Sequence, residues 1–163
     1  MATTSPLRGT VTAVTFAGGD STLASGGYAV SSAIDTSTLG TNGSAAQAAD
    51  DIDLTVSVGI AATAVANDVV GVYAITSIDG TTYSDGPADG STDATHNANM
   101  VYLGSLTVPS AAAQTVVGAM SALGACFRSN TIPRYLKIVV YNGSGAAFTS
   151  LAASVQGLNE SVA

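Results

Sequence analysis

Apolar residues in this chain recur at alternate positions, in short runs separated by small and polar residues. Asp51–Ile60 is the clearest run. Ile52, Leu54, Val56, Val58 and Ile60 share one face, while Asp51, Asp53, Thr55, Ser57 and Gly59 share the other. A period of two places one face of a strand in a core and the other in solvent. Val69–Ile78 predicts a second strand, richer in β-branched residues, after the turn signal Asn67-Asp68. Tyr28–Thr36, Met100–Val108, Tyr135–Tyr141 and Ala146–Gln156 predict four more. The last two flank Asn142-Gly143-Ser144-Gly145 and read as the clearest hairpin in the chain. Gln114–Leu123 reads two ways: Val116-Val117 favours a strand, and the alanines of Ser110–Gln114 permit a helical turn.

The connections are rich in glycine and polar residues. Thr38–Asp50 reads as a loop, with Ala45–Ala49 too short to hold a helix by itself. Asp79–Asn99 reads as a long loop carrying Asp79-Gly80, Asp85-Gly86, Pro87 and Asp89-Gly90, the kind of irregular segment in which contacts and function concentrate. Residues 1–27 read as an N-terminal arm or short edge strand, with a strand at Thr10–Phe16 and a break at Gly18-Gly19. Residues 28–163 then form one domain. Short strands at near-regular spacing, without helical periodicity or an internal repeat, predict an all-β antiparallel β-sandwich or jelly roll.

Composition changes what such a sandwich is for. Ala, Gly, Ser and Thr supply 86 of the 163 residues, and only 9% are charged. An ordinary soluble domain has about 25%. A surface of small, uncharged side chains is easily dehydrated, because few ions lose their water when it meets another surface. This predicts a chain packed against copies of itself or a partner, the alternative being a small-residue β protein that is simply monomeric. The net charge of -7 is unevenly spread. Ten of eleven acids lie between Asp20 and Asp93, a stretch without Lys or Arg, while Arg128, Arg134 and Lys137 cluster near the other end. Four bases are too few for a nucleic-acid surface. The asymmetry steers one face to a basic partner, steers one copy toward the next, or is neutralised within the fold. No apolar run reaches the roughly 18 residues of a membrane span, and the first residues lack the apolar segment of a secretory signal.

Candidate chemistry is sparse. His96 is the one histidine, in a polar loop, and no Gly-x-Ser-x-Gly elbow accompanies it. Asp50, Asp51 and Asp53 are close enough to hold a hard cation or simply to mark a solvent face. The loop Asp79–Gly86 lacks the ligand order of an EF-hand, and its Asp-Gly pairs read as turn formers. Cys126, between Ala125 and Phe127, reads as a buried inert thiol. Tyr73, Tyr83 and Tyr102 are the aromatics that a sugar-binding groove would use, although tyrosines alternating in strands more often serve cores and interfaces. No catalytic, cofactor-binding or metal-ligating residue is assigned, and an enzyme is not expected.

Two stretches carry a resemblance. Val72–Gly86, followed by Tyr102–Val108, and Ile132–Gly145 resemble small virion proteins of tailed bacteriophages, in particular jelly-roll capsid decoration (cement) proteins. The resemblance covers roughly residues 50 to 155 and rests on strand-and-turn signatures. It implies a structural subunit made in the host cytoplasm and bound to the outside of the virion shell. The implied partners are the major capsid protein and copies of the chain itself, a homotrimer being favoured. Neither nucleic acid nor membrane is an expected partner. A tail, neck or baseplate adaptor of the same fold, or a carbohydrate-binding β-sandwich module, are the alternative expectations.

Overall fold

The computed structural model describes residues 6–17, 20–42, 45–92, 95 and 99–160. Twelve strands occur among them: β1 (Pro6–Arg8), β2 (Thr12–Val14), β3 (Tyr28–Val30), β4 (Ile34–Asp35), β5 (Gly40–Asn42), β6 (Ala45–Gln47), β7 (Asp51–Ile60), β8 (Val69–Ser77), β9 (Val101–Thr107), β10 (Gln114–Met120), β11 (Tyr135–Gly143) and β12 (Phe148–Glu160). The chain is an all-β sandwich of two antiparallel sheets. The first runs β1-β12-β7-β10, with β2 also on β12; the second runs β3-β11-β8-β9, with β4 also on β11. β5 and β6 form a separate two-stranded ribbon.

The pairings are nested. β2 pairs with β12, β3 with β11, β7 with β10 and β8 with β9. One long antiparallel ribbon is therefore folded over on itself, which is the connectivity of a jelly roll. The inner faces meet in a core of Ile52, Leu54, Val56, Val58 and Ile60 from β7, Val70, Val72 and Ala74 from β8, Leu136, Ile138 and Val140 from β11, and Phe148 and Val155 from β12. These are the apolar positions of the period-two pattern.

The hairpin expected at 135–156 is not one. β11 and β12 lie in different sheets, and the 144–147 segment carries the chain across the sandwich. Asn142 fixes this crossing. Its side chain is fully buried, its Nδ2 donates to the carbonyls of Leu23 and Ala146, and its Oδ1 accepts from the Ser144 N–H and hydroxyl. Alternation reports which face a residue occupies and is silent about which strand it pairs with. The strand expected over Tyr28–Thr36 is broken after Val30. Ser31 is buried there, and its hydroxyl accepts from the Ile138 N–H in place of a ladder carbonyl while donating to the Ser32 carbonyl. Gln114–Met120 is a strand, so its β-branched pair outweighed the alanines. Ala45–Gln47 is a strand as well.

Residues 6–14 run along the edge of the first sheet as β1 and β2. Val14 and Leu23 enter the core, and the Phe148 N–H donates to the Leu23 carbonyl.

Candidate functional site

The two outer faces of the sandwich differ in chemistry. On the second sheet, the residues facing away from the core include Tyr28 on β3, Tyr73 and Ile75 on β8, and Tyr135, Lys137, Val139 and Tyr141 on β11. The Tyr28 and Tyr141 rings lie 4.9 Å apart, and the Tyr73 and Tyr102 rings 5.5 Å apart at an interplanar angle of 62°. Tyr83 joins from the loop, bridged to Ser77, with the Lys137 ammonium 4.6 Å above its ring. All six tyrosines of the chain thus lie on or against one face. Burial pushes the Tyr73 hydroxyl upward, with its three neighbours Tyr28, Tyr102 and Tyr141 adding to the effect.

Part of this face is roofed. The connection between β8 and β9 leaves the sheet at Ser77, turns, and returns over it as a strap. Gly86 approaches Ile75 so closely that a Cβ there would sit 2.9 Å from its side chain. The strap then docks on the free edge of β3: the Tyr28 N–H donates to the Ser91 carbonyl, the Gly90 N–H to the Tyr28 carbonyl, and the Val30 N–H to the Asp89 carboxylate. Ile75, Val139 and Tyr28 are buried beneath it or beside it. The long loop read as a place for contacts makes them with its own sheet, and it covers an edge that would otherwise template foreign strands.

The strap begins in an Asx turn. Asp79 Oδ1 accepts from the Thr82 and Thr81 N–H groups at 2.8 Å each and from the Ser77 hydroxyl at 2.9 Å. Those bonds hold its carboxyl well below the ordinary carboxylate range, the Thr82 N–H contributing most. The turn reading of Asp79–Gly86 is what the structure displays. Near the strap's far end Asp20 sits in a 3-10 turn spanning Asp20–Thr22, close enough to Asp89 to feel its charge. Asp20 is 5% exposed. Burial pushes its carboxyl up to about 6, with the Asp89 charge and hydrogen bond adding to the rise. Asp20 Oδ2 and Tyr83 Oη are buried side-chain atoms without a hydrogen-bond partner among the described residues.

The first sheet's outer face is open and built from small side chains. Its rows, read across β10, β7 and β12, are Thr115/Gly59/Ser150, Val117/Ser57/Ala152 and Ala119/Thr55/Ser154. Val117 is 62% exposed at the middle row. The face becomes charged only toward one end, where Arg8 reaches Asp53 at 3.0 Å and Gln156 at 3.2 Å. There the acids serve backbone N–H groups: Asp51 Oδ1 accepts from Gly124 and Ile52 at 2.7 Å each, and Asp53 Oδ1 accepts from Ala122 at 3.2 Å. Asp50 Oδ2 receives the Asn159 side-chain amide. The three acids read as a cation cluster or a solvent face thus fasten loop ends to β7 and β12. Among the described residues no group of three or more His, Cys, Asp and Glu side chains is placed to hold a metal ion.

Three other sequence readings resolve differently. Cys126 is exposed, not buried. It ends the 3-10 turn Leu123–Cys126, in which Leu123 and Gly124 face inward, and Phe127 takes the next buried position. Part of the charge asymmetry is neutralised internally, since Arg8 pairs with Asp53 and Arg134 with Asp35 at 3.6 Å. His96 lies outside the described residues. Compared with known proteins, the sequence matches no family model and no curated protein.

Proposed function

We propose that this chain is a structural subunit of a bacteriophage virion, a decoration protein that binds the outside of the major capsid shell and stabilises it. The observation that carries the reading is the open outer face of the first sheet. Its Ser, Thr, Ala and Gly rows lose little hydration on contact, and their small side chains let a partner's backbone approach closely. A shell repeats each contact many times, so modest affinity at one face becomes tight binding through avidity. The chain-wide scarcity of charge and the phage-like strand-and-turn signatures point the same way. In this reading the partners are the major capsid protein and further copies of the chain, in a trimer at a three-fold position. No catalytic step enters the role.

A tail or baseplate adaptor would use the same face, and copy number separates the two: hundreds of copies per particle for a shell protein, six or twelve for an adaptor. Quantifying the protein in purified particles against the major capsid protein is the direct test. Particles lacking the protein should also lose their contents at lower temperature, and unchanged heat resistance would contradict the cementing role. A sugar-binding module would rely on Tyr73 and Tyr102, of which Tyr102 is 56% exposed. Their rings cross at 62° and present an edge instead of a continuous stacking platform, which favours the shell reading.

A further inference from the structure

We propose that the chain pairs end to end with a second copy of itself, the Ile78 side chain of each copy entering the cavity that Phe127 and Pro133 wall in the other. Ile78 is 98% exposed, the most exposed large apolar side chain among the described residues. It does not sit on a loose loop. Ser77 just before it is buried, and the Ser77 hydroxyl accepts from the Asp79 and Gly80 N–H groups at 3.3 and 3.0 Å while donating to the Asp79 carboxylate at 2.9 Å. Both neighbours of Ile78 are thus fixed, and little backbone freedom is left to lose on association. A single exposed apolar residue needs no explanation by itself. A cavity at the same end of the sandwich changes that.

Thr76, two positions earlier on β8, lines a cavity of about 320 Å³. Val101 at the start of β9, Phe127 and Pro133 give it apolar walls, and Arg128 lines it too. Ile78 does not fill its own copy's cavity, since it stands almost wholly in solvent. The charges match as well. Arg8 and Arg134 are paired with Asp53 and Asp35, and Lys137 is stacked on Tyr83, whereas Arg128 is exposed and has no ion pair among the described residues. Asp79 follows Ile78 directly, and the three hydrogen bonds of its turn all go to Oδ1, leaving Oδ2 outward. An apolar side chain followed by a carboxylate therefore suits apolar walls beside a guanidinium. The chain carries both halves of this contact at one end. A two-fold axis brings each Ile78 to the other copy's cavity and each Asp79 to the other copy's Arg128, so every contact is made twice and the pair closes. This inference stands independently of the virion role, and a trimer held through other surfaces would be doubled by it.

The test is sedimentation equilibrium of the full chain at neutral pH, from about 1 μM to about 1 mM, beside Ile78→Asp and Arg128→Ala. The mass of the wild type should rise with concentration toward twice that of Ile78→Asp. Ile78→Asp should weaken pairing by more than about a hundredfold, because two buried isoleucines are lost. Arg128→Ala should weaken it roughly fivefold to tenfold, because the ion pair is made twice. Both side chains are exposed, so the Tm of each variant in dilute solution should stay within about 2 °C of the wild type. That separates loss of pairing from loss of fold. A wild type whose mass stays constant up to about 1 mM would overturn the proposal and leave the cavity to a partner of another sequence. Pairing that Ile78→Asp retains in full would overturn it as well, since the copies would then meet through another surface.

Discussion

The two sheets share a core and part company at their outer faces. The second sheet carries apolar and aromatic residues outward, at Tyr28, Tyr73, Ile75, Val139 and Tyr141, and the strap covers the part of that face around Ile75 and the β3 edge. The first sheet carries Thr, Ser, Ala and Gly outward and is left bare. A strand with one apolar face needs one partner layer; a strand apolar on both faces needs two. The chain supplies the second layer for one sheet from its own loop. On the other it keeps a face that costs little to leave in water and little to remove from it. The difference separates what the molecule uses to hold itself together from what it has to offer another surface.

Substitutions can break or sharpen that contrast. The largest effect belongs beneath the roof. Tyr28→Ala removes a ring that is 2% exposed and stacked on Tyr141, and should cost about 4 kcal/mol of unfolding free energy in urea. Ile75→Ala, under Gly86, should cost about 3 kcal/mol. A loss below about 1 kcal/mol for both would mean that the strap does not form a packed layer in solution.

An acid limb comes next. The Asp79 carboxyl is held below its ordinary range by the N–H groups of the turn, so its contribution is fully present at neutral pH. It is lost as pH falls below about 4 and the carboxylate takes up a proton. Asp79→Asn should therefore flatten the decline of Tm with acidification, and a decline as steep as the wild type's would place the acid sensitivity elsewhere. Smallest of all, Val117→Ala on the bare face should change stability by less than about 0.5 kcal/mol. A greater loss would mean that this face is not free in the isolated chain.

The strand pattern was legible because alternation is a local property. Asp51–Ile60 reads the same in sequence and structure, down to its ends. Pairing was not legible. The Asn142–Gly145 signal resembles a hairpin turn, yet Asn142 spends its amide on Leu23, far away in the chain, and sends the chain to the other sheet. The roof left a trace that alternation alone overlooks. Ile138-Val139-Val140 and Ala74-Ile75 are apolar at successive positions, which a half-buried strand does not tolerate, so both faces had to be covered. The proximity of Asp20 to Asp89 left no such trace, since the two residues come near each other only when the strap docks. Cys126 misled because its apolar neighbours suggested burial, whereas the 3-10 turn rotates it outward.

The central claim is that the bare first-sheet face, and not the tyrosine face, meets the shell. Val117→Asp and Tyr102→Asp place the same charge at comparably exposed positions on the two faces, 62% and 56%. Each variant, shown to be folded by circular dichroism, would be added to particles lacking the protein, and the bound fraction measured by sedimentation. The account predicts that Val117→Asp stays in the supernatant while Tyr102→Asp sediments with the particles. Binding by Val117→Asp together with loss of binding by Tyr102→Asp would contradict it.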